Sequence, residues 1–417
     1  MKKIVGTIAA IALAASSAFA GVNVGMGFNR GFFVPFAGAD GEMYTGISTS
    51  WGAEPRVGVS FSAASEQVGV VADVKFDGGS VAVNDNAYIW VKPVEWFKMN
   101  IGQSFDDTLR GNACFGSWDW LRPGNILGED LIFTRVCNNP LEGAYAPLKG
   151  AILMLDPIEG LHISVGIPTG YGFGTSTADK DSYGWKDSDE DPTTAPTWEI
   201  TTKKGDKTPK GVFEDVWAKA QVQAGYTIAD VAQIKAQWIG KGKNKDDELE
   251  GQIEVAASVK AIEGMTLDVG AKFGLFDKEY SLAGVNAKAK PINIGLFWGM
   301  PVGALSLNAN AGVEFANASI DDVDLSYTKL SIGAGVGYDL GNGMGVGADV
   351  RYSQAFVKAG DNSDSSDPAI AFAAWFDKGI ANGTLGVAIQ GATKTGIRDI
   401  ASSDFSFAVP VRVQCFF

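Results

Sequence analysis

The sequence predicts an all-β chain wound into one transmembrane antiparallel β-barrel of about 18 strands, with short periplasmic turns at one end and long extracellular loops at the other. Three observations predict it. Alternation of apolar and polar residues recurs along the chain, as in GMGVGADVRYSQAFV (343–357), where Met344, Val346, Ala348, Val350 and Tyr352 oppose Asp349, Arg351 and Ser353. A period of two gives a strand with one oily and one polar face. The 53 Gly, 15 Pro and 11% aromatic residues among 417 suit strands and turns and serve helices poorly. Connections alternate between short and long over many hairpins, which a membrane barrel requires and a soluble sandwich does not.

The chain opens on MKKIVGTIAAIALAASSAFA, with Lys2 and Lys3, an apolar stretch from Ile4 to about Ala15, and Ala18-Phe19-Ala20. This reads as a signal peptide cleaved after residue 20, its apolar core being shorter than the roughly 20 residues of a spanning helix. Residues 21–417 then form a single barrel. No later apolar run is long enough to span as a helix, so a membrane is crossed by strands.

Strands are expected near 43–52, 55–63, 68–76, 86–92, 96–103, 149–156, 160–167, 213–227 and 229–240, then near 250–260, 264–276, 289–299, 303–315, 325–339, 343–357, 367–377, 383–392 and 404–414. They number eighteen. Sixteen is the alternative, and a strand within 22–36 would disturb the parity. Short turns fall near Ile228, Ile262 to Gly264, Met300 to Val302, Leu340 to Gly343 and Gly379 to Asn382, with longer polar connections near 241–249, 277–288, 316–324, 358–367 and 393–403. In the last strand, DFSFAVPVRVQCFF, apolar residues alternate back from Phe417. A strand that runs to the end of the chain needs partners on both edges, and closure against the first strand supplies the second.

A net charge of −14 disfavours nucleic acid or an anionic surface as partner. There is no Cys/His metal spacing, no phosphate-binding loop and no implied cofactor. His162, the one histidine, shares a face with Ser164 and Gly166. A Ser/His/acid hydrolase built on it lacks a nucleophile motif, so the chain is not read as an enzyme. Cys114 and Cys137 lie within one long connection. A bridge between them would stabilise it by about 3 kcal/mol, and two free thiols are the alternative. The acidic cluster Asp187, Asp189, Glu190 and Asp191, in the polar connection 168–211, fits no calcium loop and reads as a solvated outward loop.

These features together resemble bacterial outer-membrane porins: a signal peptide, an even set of amphipathic strands and a terminal Phe on an alternating strand. The stretches TSWGAEPRVGVSF, DDTLRGNACFGSWDWLR and GEDLIFTRV are similar to the porin-like outer-membrane proteins of spirochaetes. The resemblance implies a barrel-assembly signal in Val409, Val411, Val413, Cys415 and Phe417, with Cys415 a departure from the usual aromatic or aliphatic residue. It implies outer-membrane lipids and the barrel-assembly machinery as partners, and a homotrimer. It also implies that the long connection 104–148, after the fifth strand, folds inward as a constriction, with cover over the barrel mouth as the alternative.

That connection carries Asp106, Asp107, Arg110, Asp119, Arg122, Glu129, Asp130 and Arg135, opposed charges that would filter solutes by local field. Facing them, Lys98, Lys219, Lys235, Lys272, Asp349, Arg351 and Arg412 are expected on the lumen wall, where each is also explained as ordinary hydrophilic lining. The expected function is a water-filled channel for passive diffusion of small hydrophilic solutes and ions. The alternatives are an occluded barrel acting through its outward loops as an adhesin or structural protein, and a soluble secreted β-protein.

Overall fold

The computed structural model describes residues 22–26, 29–37, 43–48, 57–77, 80–109, 148–169, 175–178, 181–186, 197–209, 213–229, 231–244, 246–259, 262–282, 285–320, 323–393 and 405–415. The N-terminal strands are β1 (Val22–Met26), β2 (Asn29–Ala37), β3 (Met43–Ser48), β4 (Val57–Ala64), β5 (Val68–Asp77), β6 (Ser80–Val94), β7 (Phe97–Ser104), β8 (Leu148–Ile158) and β9 (Leu161–Pro168). Four short strands follow, β10 (Thr175–Thr177), β11 (Ser182–Lys186), β12 (Thr197–Thr202) and β13 (Lys207–Pro209), and then helix α1 (Phe213–Ala218). Next come β14 (Gln221–Ile228), β15 (Ala232–Lys243), β16 (Leu249–Val259), β17 (Thr266–Gly274), β18 (Lys278–Leu282), β19 (Val285–Ala289), β20 (Ile292–Val302) and β21 (Leu305–Ile320). The remainder is β22 (Val323–Gly341), β23 (Met344–Ala359), β24 (Asn362–Ser365), β25 (Ala369–Ile380), β26 (Gly383–Thr393), β27 (Phe405–Ala408) and β28 (Val411–Cys415).

One antiparallel sheet of 22 segments contains all of these except β10 with β13, β11 with β12, and β18 with β19, which form separate two-stranded ladders. Four pairs of segments continue each other. β24 and β25 both lie along β23, and β27 and β28 both lie along β26. β1 and β2 are parted by two residues, and β3 and β4 pair successive stretches of that same N-terminal segment, β2 and then β1. Taking each such pair as one strand reduces the 22 segments to eighteen.

The count agrees with the sequence reading, but its N-terminal part is corrected. Of the regions near 43–52 and 55–63 the described parts, β3 and β4, lie along one line of the sheet, and the missing strand is that of β1 and β2. The final strand finds its second partner in β2: Val411, Arg412 and Val413 register with Phe33, Phe32 and Gly31, while Val411 also faces Val387 of β26. Closure is less complete than expected. Segment by segment the ladder ends at β1 and β3, which no pairing joins: β2 meets β3 and β1 meets β4 in two separate stretches, so the sheet is not closed by one continuous ladder.

Three further differences have local causes. In the region read as a strand from 213, Phe213, Val216 and Trp217 stand at i, i+3 and i+4, so the first six residues form α1 and the strand begins at Gln221. The connection near 316–324 shrinks to two residues, because β21 and β22 stay paired out to Ile320 and Val323. The connection near 277–288 forms the hairpin β18–β19. Pro410 lacks an N–H and divides β27 from β28, yet its carbonyl accepts from Ala388 N at 3.0 Å and keeps the edge in register.

The two faces of the sheet are sorted opposite to a soluble core. In β14 to β17, β23, β26 and β28 the polar members of the alternation are buried and turned inward, while apolar members such as Ile234, Val255, Val350, Ile389 and Val413 are exposed outward. In β26, Ile389 is 52% exposed and its neighbour Gln390 is 0% exposed. An oily exterior over a polar interior is the arrangement for a hydrocarbon surround. Among the described residues no helix is long and apolar enough to cross a membrane. β21, β22 and β23, at 16, 19 and 16 residues, exceed the roughly 9 to 11 residues of a tilted spanning strand.

Candidate pore and its constriction

Five of the charges expected on the lumen wall lie on the buried face of the sheet. Lys235, Lys272, Asp349, Arg351 and Arg412 are all buried on the inward face, joined by Glu254 and Asp268. Lys272 and Glu254 are register partners on β17 and β16, with Nζ 3.2 Å from Oε1. Arg412 Nη2 lies 3.7 Å from Asp377 Oδ2. Pairing offsets the cost of holding charge away from bulk water, so this lining is a set of fixed dipoles and ion pairs rather than bare charge. Lys98 shares the inward face with Asn100 and places Nζ 5.4 Å from the centroid of the Trp90 ring. Lys219 lies between α1 and β14, exposed, with its Cε 3.5 Å from where a β-carbon on Gly242 of β15 would stand.

Of the constriction residues, Asp106 and Asp107 are described, and Asp107 is exposed. Arg110, Asp119, Arg122, Glu129, Asp130 and Arg135 lie outside the described residues, as do Cys114, Cys137, the acidic cluster 187–191, residues 1–20 and Phe417. Asp106 is 3% exposed and fixes the start of the connection. Its Oδ1 accepts from Thr108 N at 3.1 Å and from Thr108 Oγ1 at 2.7 Å, a local turn that redirects the chain after β7. Its Oδ2 lies 2.7 Å from His162 Nε2 on β9, and His162 Nδ1 lies 2.7 Å from Asp156 Oδ1 beside the β8–β9 turn.

An imidazole donates from both nitrogens only as the cation, so this geometry calls for imidazolium between two carboxylates. Burial pushes the Asp106 carboxyl up, but its hydrogen bond to His162, the charge of that ring and hydrogen bonds from Ser164 and Thr108 outweigh burial and hold it at about 2. Both ring nitrogens are committed to carboxylates, which leaves neither to activate a serine. Leu109, 1% exposed, makes the second anchor. It fills the space over Gly225 on the inner face of β14, where an added β-carbon would come within 2.6 Å of Leu109 Cδ1. The wall beside it is apolar on its inward face, with Leu148, Ile152 and Met154 clustered and buried. Residues 105–109 thus fold onto the buried faces of β9 and β14.

The hairpin β18–β19 is a second inward element, missed in the sequence. Tyr280 is buried, with its ring 4.5 Å from that of Tyr327 on β22, and it packs with Ala289 and Ala316. Ala287 packs with Leu325 and Val357. Lys278 Nζ meets Glu314 Oε1 at 2.6 Å. Burial, reinforced by the Glu314 carboxylate, pushes the Tyr280 phenol up. The signal was present in KEYSLAGVNAKA, where Tyr280 and Leu282, then Val285, Ala287 and Ala289, alternate around Ala283-Gly284.

No protein-family model matches the chain, and no curated relative is found. Solved structures do match in fold. OccAB1 of Acinetobacter baumannii aligns with a TM-score of 0.52 at 10% identity, over 95% of this chain and 97% of that one. OccK8 (OprE) of Pseudomonas aeruginosa aligns with a TM-score of 0.51 at 9% identity, over 95% and 98%. An anion-selective porin from Comamonas acidovorans aligns at 0.47 and 9% identity, over 95% and 99%. At these identities the likeness shows fold alone, and the fold is that of the outer-membrane porin β-barrels.

Proposed function

We propose that the protein is an outer-membrane channel through which small hydrophilic solutes and ions diffuse passively. The observation that carries this reading is the sorting of the sheet's faces, with Lys235, Glu254, Lys272, Asp349, Arg351 and Arg412 buried inward and the aliphatic residues exposed outward. Such a wall serves a polar path across hydrocarbon. Residues 1–20 are the cleaved signal, 21–417 the barrel, and 104–148 the constriction, with Asp106 and Leu109 anchoring its first turn. Outer-membrane lipids and the barrel-assembly machinery are its partners, and a homotrimer its assembly. Liposomes containing the folded protein should swell in isotonic sugar or amino-acid solution, at rates that fall with solute size. Correctly folded protein that gives no swelling with the smallest solutes contradicts the reading.

One observation favours a second reading, a barrel with a filled lumen that acts through its outward segments. The inward side chains of Gln223, Gln390 and Arg351 are 0%, 0% and 1% exposed, less than a wide wet lumen would leave them. The swelling assay separates the two readings, because only an open path admits solute.

A further inference from the structure

We propose that a recess on the inner wall, at the short-turn end of the barrel, binds a neutral sugar on its way through the channel. The inference rests on the channel reading above. The recess encloses about 430 Å³, within the roughly 300–1,000 Å³ usual for small-molecule sites, and Trp375, Asp377 and Ser306 contribute to its lining.

Its shape follows from the register of four strands. Trp375 on β25 stands beside Gly347 on β23, Gly347 beside Gly337 on β22, and Gly337 beside Ser306 on β21. Three successive neighbours of the indole on the inward face therefore have little or no side chain. A β-carbon at Gly347 would overlap the Trp375 ring, and one at Gly337 would sit 3.6 Å from Cη2, so the glycines let the indole lie down against the wall. One register position nearer the turn, Gly345 stands beside Asp377, and a β-carbon there would come within 2.8 Å of Asp377 Oδ1. The glycines thus clear the space that the recess occupies.

The polar groups suit hydroxyls. The indole Nε1 is itself buried against the wall, so the ring offers the recess its face and the hydroxyls are met by the groups at its edge. The Asp377 carboxylate, Ser306 Oγ and the nearby Asp339 carboxylate offer acceptors around the ring. A sugar ring presents a C–H face that packs on an aromatic surface and a rim of hydroxyls that both donate and accept, matching an apolar plate edged by such groups. An organic cation would also meet the indole face favourably. Arg412, 3.7 Å from Asp377, offsets the carboxylate that such a cation would need, and this favours the neutral solute.

The test is single-channel recording of the mature protein in symmetric salt with a neutral disaccharide added, and separately with a tetraalkylammonium salt. Sugar should interrupt the current in resolvable events. Trp375→Leu should shorten their dwell time about tenfold, Trp375→Phe should retain most of it, and Asp377→Asn should shorten it less than Trp375→Leu does. Heat-modifiable mobility on gels establishes that each variant has folded. Salt steps without sugar events, sugar events unaffected by Trp375→Leu, or block by the ammonium ion alone would each overturn the site while leaving the channel standing. Absence of salt steps from folded protein would overturn both.

Discussion

Replacing His162 with leucine is expected to detach residues 105–109, the start of the proposed constriction, and give larger, noisier current steps. The leucine roughly fills the volume but leaves Asp106, 3% exposed, without its charged partner. Removing one member of a buried pair typically costs about 3–5 kcal/mol. That is enough to shift a folded-in segment about a hundredfold or more toward release, at 1.4 kcal/mol per tenfold. Asp106→Asn should act in the same direction, and Asp156→Asn more weakly, since that carboxylate is half exposed.

The same latch carries a pH dependence. The Asp106 carboxyl is held at about 2, below its ordinary 3.8, so its contribution is complete above pH 3.8 and is lost as pH falls through about 2. At the alkaline end, loss of the imidazolium proton leaves one of the two carboxylates without a donor, so the latch weakens there as well. The charged and polar groups facing it are Asp106, Asp156, Lys98 and Ser164. Conductance recorded from pH 2 to 10 should have a quiet plateau in the middle in the parent protein and none in His162→Leu. Identical steps from both proteins across that range would contradict the latch.

Placing arginine at Ile389 is expected to be the most damaging single change to assembly. Ile389 lies near the middle of β26, opposite Ala374, and faces outward. An arginine on the lipid face near the bilayer midplane costs about 2–4 kcal/mol, against near zero at the interfaces. The neighbouring Gln390→Leu changes the lumen side and should leave insertion nearly unaffected. Urea titration of both variants in lipid vesicles, followed by heat-modifiable mobility, separates the faces. Equal stability of Ile389→Arg and the parent would contradict the assignment of inside and outside.

The alternation that exposes these faces is a local property, which is why the sequence could put Lys235, Lys272, Asp349, Arg351 and Arg412 opposite the exposed aliphatic face. Period two needs only a correct register within one strand, and their strands are long and regular. The N-terminal strand was hidden because NRGFFVPFA runs three aromatic residues and a proline together and masks the period. The helix was hidden for a different reason: its six residues are too few for a helical period to stand out ahead of the alternation of β14. The latch was not legible at all. Asp106 and His162 are 56 residues apart, and nothing in either local stretch names the other. The recess at Trp375 likewise depends on the register of four strands, which no single strand encodes, although each glycine is visible by itself.

The central claim is that the inward polar face lines a path open to water. It is tested most directly by inserting the purified mature protein into a planar lipid bilayer and recording current in symmetric salt. Discrete, reproducible steps, larger in protein lacking residues 106–135, are the expected result. A verified, folded barrel that stays silent across a wide range of salt and voltage would contradict it and move the function to the outward segments.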